Sequence, residues 1–364
     1  MRGVIYDGKQ AEVVEGLELR DPRPTEVKIA IRAAGLCHSD LSVMNGTIQT
    51  PSPLVMGHEG AGEVAEVGSA VKNVKVGDHV VISTVANCGS CPSCSAGFPT
   101  RCYKSLGAMS RPFSLNGESL FNFAAASTFS EFTVVAENQA IKIDDSVPFE
   151  SAAIAGCAVM TGMGAVLNRA RLAPGETAAV FGIGGVGLNV IQGCRLAGAE
   201  IIIAVDTVAA KRELAMQMGA THFVDASVSD AVEEIRTLTG GVKMGTLAFG
   251  GVDWTFECVG HPAVLKSAME VLDWGGTCVA VGIPPAGTEV SIDIRHLAYV
   301  DRSIMGCRYG QAHPHRDIPL YMRLYKEGRL KLDELVSKTY KIDDFHQAAE
   351  ELHSGKLAKA VFVF

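Results

Sequence analysis

The chain has 364 residues, room for two or three domains at roughly 100–200 residues each. Apolar residues make up 48% and charged residues 20%, and 40 acids against 32 bases leave a net charge of −8, which argues against a polyanion-binding surface. Ten cysteines with no export signal point to metal or catalytic thiols, and no run of about 20 apolar residues is present to span a bilayer, so a cytoplasmic protein that binds neither nucleic acid nor membrane is expected.

The first 150 residues read as short strands and turns. Glu26–Ala34, Gly62–Val67 and Asp78–Ser83 are β-branched stretches bounded by Pro or Gly. Tyr103–Thr128 shows little regular pattern, and a loop of that length usually serves function. Past residue 158 the character changes. Thr177–Gly182, Ile201–Val205, His222–Val224, Asp253–Val259 and Thr277–Val281 read as strands. Between them Gly184–Ala197, Val208–Met218, Asp230–Leu238 and Pro262–Leu272 read as helices. Such alternation gives a parallel sheet with helices on both faces. In the tail, Ile318–Glu327 and Phe345–Ser354 read as helices and Val361–Phe364 as a closing strand.

Gly182-Ile183-Gly184-Gly185-Val186-Gly187 fits G-x-G-x-x-G between a strand and a helix, and Asp206 follows Gly187 by 19 residues at the end of the next strand. That is close to the roughly 20 residues of a dinucleotide-binding fingerprint. Gly182 would allow the tight turn, Gly184 the approach of a pyrophosphate to the helix N-terminus, and Gly187 close helix–strand packing. The Asp206 carboxylate would accept from ribose hydroxyls and repel a 2′-phosphate, favouring NAD over NADP. As a bland alternative, Asp206 is a turn residue at a strand end.

Cys88, Cys91, Cys94 and Cys102 read C-x₂-C-x₂-C-x₇-C with Gly, Pro and Ser between them, a spacing that lets four thiolates surround one tetrahedral zinc ion. Two disulfides or an iron–sulfur cluster are the alternatives from spacing alone. Cys37, His58 and Cys157 would make a catalytic three-ligand site. Their separation in sequence leaves other readings open: Cys157 as an apolar filler and His58 as a satisfied polar residue.

Over nearly its whole length the chain resembles the zinc-dependent medium-chain alcohol dehydrogenases, in the stretches GLCHSD, GHEGAGEV, STFSEFTVV, GCAVMTG, GIGGVG and IIIAVD and in the four-cysteine lobe. The resemblance implies an α/β chain in which a GroES-like β-rich catalytic domain, 1–158 and 309–364, carries a structural zinc lobe at 88–102. A Rossmann doubly wound parallel sheet domain, 159–308, binds NAD. It implies two zinc ions per chain. Cys37, His58 and Cys157 hold the catalytic one, with Glu59 beside the metal and able to exchange onto it. Cys88, Cys91, Cys94 and Cys102 hold the structural one. Asp40 orients His58, Ser39 receives the alcohol proton, and Gly182, Gly184, Gly185, Val186, Gly187, Asp206 and Lys211 meet the nucleotide. His38 and Lys359 stand where relatives often place an Arg at the pyrophosphate, and both are weaker clamps than a guanidinium. The relay of the best-known members continues to a histidine where this chain has Ser42, which leaves His38 or solvent to take the proton onward.

The implied reaction is reversible oxidation of a primary or secondary alcohol to an aldehyde or ketone, with hydride transfer to NAD. Thr84, Phe123, Ala124 and Ile283 fall at the substrate pocket, and Arg308 falls there or at a partner chain. Thr84 and Ala124 stand where relatives are often bulkier, so a substrate larger than ethanol is expected. The rival reading is a formaldehyde dehydrogenase acting on a thiol adduct. The acid and Arg that glutathione-using members carry are replaced here by Ile48 and Leu106. A non-catalytic zinc protein is the reading from another class. The long segment Tyr103–Thr128 goes with a homodimer in this family.

Overall fold

The computed structural model describes residues 1–107, 110–244 and 247–364. Contacts divide it into two units, Met1–Met160 with Ala312–Phe364, and Thr161–Gln311. The first unit is built on a largely antiparallel sheet. It runs Ala140–Lys142, His79–Ile82, Glu59–Val67, Glu26–Leu36, Lys359–Val363 and Val336–Tyr340, with Phe132–Ala136 also paired to Glu26–Leu36. Along Glu26–Leu36 the alternation is clean: Val27, Ile29 and Ile31 are buried, while Lys28 turns outward to Glu66. Each buried side chain of that size contributes roughly 1.5–3 kcal/mol of transfer free energy. Gly62 sits in the partner strand because a Cβ there would collide with the Ala30 carbonyl. Phe129, Phe345 and Phe362 close the core beneath this sheet. A second sheet joins Gly3–Tyr6 through Leu54–Val55 to Glu118–Asn122.

One expectation is corrected in this unit. Tyr103–Thr128 is not structureless among its described residues: Phe113–Leu115 and Glu118–Asn122 pair as a hairpin. Asn116 and Gly117 turn it at positive φ, a two-residue hairpin signal in an otherwise patternless stretch. Residues 108 and 109 of that stretch lie outside the described residues.

The second unit is a six-stranded parallel sheet in the order His222–Asp225, Ile201–Asp206, Thr177–Phe181, Val252–Glu257, Leu272–Ala280, Ser303–Gly306. That is the 3-2-1-4-5-6 order of a doubly wound dinucleotide-binding sheet. The central strands are buried along their length, which explains their continuous apolar runs. Helix Gly185–Ala197 stops at Gly198, whose φ of 86° only glycine adopts freely. Among the described residues no single helix is long and apolar enough to cross a membrane. The uncharged run Ser151–Asn168 forms short, mostly buried helical segments.

Candidate active site

Three stretches of the first unit converge. Strand Glu26–Leu36 delivers Cys37 to the start of helix His38–Met44. Gly57, at φ 87° against Phe129, turns the chain into His58 and strand Glu59–Val67. Cys157 follows the turn Ile154–Gly156. The result is a buried group, Cys37, His58, Glu59 and Cys157, whose ligand atoms all lie within 4.8 Å of one another.

Asp40 organises it from behind. The carboxylate is fully buried, with one oxygen accepting the Cys37 amide at 2.9 Å and the other 3.1 Å from His58 Nδ1. With the proton on Nδ1, His58 Nε2 is a bare lone pair, and it is buried with no hydrogen-bond partner. A metal ion satisfies such an atom, and two sulfurs and a nitrogen suit zinc with a fourth position to spare, the Glu59 carboxylate standing beside them. A hydrogen bond from Cys157 holds the Cys37 thiol well below its usual range, against burial. The same bond and burial push Cys157 well up.

Lys359 completes the charge balance. Its ammonium lies 2.6 Å from both Glu59 oxygens and 3.5 Å from the Leu36 carbonyl. Burial pushes the Glu59 carboxyl up to about 7, and Lys359 opposes it. Burial also works against the lysine, but the charges of Cys37, Glu59 and Cys157 outweigh it and raise its pKa. The resemblance places Lys359 at the nucleotide phosphates; here its donors are taken by Glu59 and Leu36 and it is 3% exposed. Sequence alone carries no signal of this ion pair, because the partners are 300 residues apart.

Cys88, Cys91, Cys94 and Cys102 form the second group whose ligand atoms lie within 4.8 Å of one another. All ten cysteines are free thiols. Backbone N–H groups point at the sulfurs, Cys91 at Cys88 Sγ (3.3 Å) and Cys88 at Cys102 Sγ (3.4 Å). The Ser90 amide is the leading influence that lowers the Cys88 thiol to about 6, and burial raises Cys94 to about 11.

In the second unit the glycine loop has three distinct positions. Gly182 has φ 88°, and Gly187 has no room for a Cβ against the Gly182 carbonyl. A Cβ on Gly184 would meet no protein atom, leaving open space at the N-terminus of the thirteen-residue helix Gly185–Ala197. One Asp206 oxygen accepts the Ile183 amide at 2.7 Å and Lys211 Nζ at 2.9 Å, and the other accepts the Val208 amide at 3.0 Å. The carboxylate thus ties the loop to its own strand.

The other expected residues fall in both units. Ser39 Oγ lies 3.9 Å from Cys37 Sγ, and His38 is exposed beside it. The Phe123 ring meets His58 edge-on at 5.3 Å, and Ala124 follows it at φ 51°. Thr84 is buried with its hydroxyl donated to the Gly156 carbonyl. Ile283, 65% exposed, and Arg308, stacked on Tyr309, belong to the second unit. The Leu106 side chain lies outside the described residues. Sequence reading missed Ser127, whose hydroxyl accepts the Phe123 amide and donates to the Val55 carbonyl, so fixing the aromatic beside His58. Its polar character in an apolar surrounding was the available signal.

The alcohol dehydrogenase GroES-like domain profile matches residues 23–145, and the zinc-binding dehydrogenase profile matches residues 185–327. S-(hydroxymethyl)glutathione dehydrogenase of Paracoccus denitrificans is 36% identical over 98% of this chain and 97% of its own. The crystal structure of benzyl alcohol dehydrogenase from Acinetobacter calcoaceticus superimposes with a TM-score of 0.91 at 32% identity, covering 100% of this chain and 99% of that one. A zinc-binding dehydrogenase of Sinorhizobium meliloti 1021, solved bound to NADP, has a TM-score of 0.81 at 25% identity, with 100% and 99% covered. Together with the two ligand clusters, these likenesses support zinc and a nicotinamide cofactor.

Proposed function

The chain belongs to the zinc-dependent medium-chain alcohol dehydrogenase family, and on that premise we propose that it oxidises a primary or secondary alcohol to the aldehyde or ketone, reversibly, with hydride transfer to NAD. The observation that carries this reading is the partnerless, buried Nε2 of His58, set among two thiols and a lysine-held carboxylate. When bound, zinc supplies a Lewis acid for the substrate oxygen and the nicotinamide a hydride acceptor.

The chain's own residues do the remaining work. Cys37, His58 and Cys157 hold the ion, and Asp40 fixes the imidazole tautomer that lets His58 do so. Ser39, beside Cys37, takes the hydroxyl proton and hands it to His38 or solvent. Lys359 holds Glu59, whose carboxylate would lie beside the ion and could exchange onto it. Asp206 accepts from the ribose hydroxyls, and its negative charge disfavours a 2′-phosphate, which supports NAD. The small Thr84, and Ala124 next to the Phe123 that meets His58, support a substrate larger than ethanol, and the likeness to benzyl alcohol dehydrogenase agrees with an aromatic one.

A thiol-adduct formaldehyde dehydrogenase is the second reading, favoured by the Paracoccus relative and disfavoured by Ile48 and Leu106 in place of charged residues. Absorbance at 340 nm, with NAD or NADP and a panel of ethanol, benzyl alcohol and formaldehyde with and without glutathione, separates them. The expected result is NAD reduction with kcat/KM higher for benzyl alcohol than ethanol, lost after chelation. Turnover only with formaldehyde and glutathione would replace the first reading with the second. Preference for NADP would remove the role given to Asp206.

A further inference from the structure

Cys157, like Cys37, is carried by no regular element. It lies between the turn Ile154–Gly156 and the helix Ala158–Gly164, at φ −137° and ψ −73°, outside the helical region. Its position therefore depends on what holds the residue before it.

Gly156 is held from two sides, and both holds come from the end of strand His79–Ile82. On one side its α-carbon presses against the Ile82 carbonyl so closely that a Cβ would collide with it. On the other its carbonyl accepts two hydrogen bonds from one residue: the Thr84 amide at 3.2 Å and the Thr84 hydroxyl at 3.0 Å. Thr84 is 5% exposed, so water does not compete for that carbonyl. The hydroxyl is committed to the backbone and is not offered to a substrate; what Thr84 can present to a ligand is its methyl group.

We propose that Thr84 is a positioning residue for the buried metal site: its hydroxyl, through the Gly156 carbonyl, fixes where Cys157 places its sulfur relative to Cys37 and His58. This rests on the zinc reading above. It gives Thr84 a second task besides leaving room in the pocket, and the two tasks separate chemically. Valine keeps the shape and removes the hydroxyl, while serine keeps the hydroxyl and removes the methyl. A single buried hydrogen bond of this kind changes an equilibrium by about tenfold.

The test uses full-length protein loaded with cobalt and dialysed against EDTA. It follows the visible cobalt band of the buried site and total metal by mass spectrometry. Thr84→Val is expected to lose the buried-site ion about tenfold faster than the parent. Thr84→Ser should lose it at the parent rate, with the four-cysteine ion unaffected in both. The proposal is overturned if Thr84→Val retains the ion like the parent. It is equally overturned if Thr84→Ser loses it as fast as Thr84→Val, since packing of the methyl is then responsible. A parent protein that takes up no cobalt at the buried group would instead sink the zinc reading itself, and this proposal with it.

Discussion

Two cysteine-containing sites lie in one unit and are built on opposite plans. The lobe draws four sulfurs from fifteen successive residues, leaves Cys88 and Cys94 half-exposed, and directs backbone N–H groups at its sulfurs. The other site gathers Cys37, His58, Glu59 and Cys157 from separate strands and a helix break, and buries all four. It needs charges from further away, Asp40 behind His58 and Lys359 on Glu59. The lobe is a local object that turns can make. The buried site is a product of the whole sheet, because the last strand of the chain supplies the lysine. A closed four-sulfur site has no position for a substrate, whereas three ligands and a displaceable carboxylate leave one.

The sharpest way to break this contrast is to remove the far partner. Lys359→Met leaves the Glu59 carboxylate buried without its cation, and breaking one side of a buried pair destabilises by about 3–5 kcal/mol. A lowered denaturant midpoint is expected, with most of the loss recovered in the double variant Lys359→Met, Glu59→Gln. If Lys359→Met unfolds like the parent, the pair does not hold the site together and the buried plan is as local as the lobe.

Asp40→Asn is a milder probe, since the amide keeps the shape of the carboxylate. It weakens the hold on the His58 tautomer and on the Cys37 amide together. A drop of roughly 10–100-fold in metal affinity or kcat is expected, the range seen when partners behind metal-bound imidazoles are changed. Metal titration followed by steady-state rates checks it. An unchanged affinity would mean that strand geometry alone sets the imidazole.

The same contrast explains what could be read from the sequence. The lobe was legible because its ligands are contiguous and its spacing is itself the geometry. The parallel sheet was legible because buried strands leave continuous apolar runs, as at Ile201–Asp206, and because Gly198 and Gly219 stop helices where left-handed φ is needed. The buried site was legible only through resemblance, since nothing local links residue 37 to residue 157. The partners of Lys359 and the Thr84 hydroxyl were not legible at all. Both bonds span more than seventy residues, too far apart for a local pattern to show. The hairpin Phe113–Asn122 was missed because its strands are too short to show a period.

The smallest effect on chemistry is expected from the lobe, and it tests whether the two plans are separable. Cys91→Ser removes a ligand from the middle of the set, and three sulfurs do not close a tetrahedral structural site. Apart from Cys91 and Cys102 the lobe buries the small Pro99 and Thr100, and Arg101 lies stacked on Phe98 at 4.1 Å near the surface. Local opening follows without loss of the sheet, because the rings of Phe129, Phe345 and Phe362 contact one another and, among the described residues, no ring of the lobe. Metal content should fall by one ion per chain, and trypsin should cut at Arg101 faster than in the parent. The kcat should stay within about tenfold of the parent, below the loss expected on disturbing the His58 hold. A fall in kcat as deep as that of Asp40→Asn would show that the lobe shapes the buried site, and the distinction between a local and a fold-wide metal site would fail for this chain.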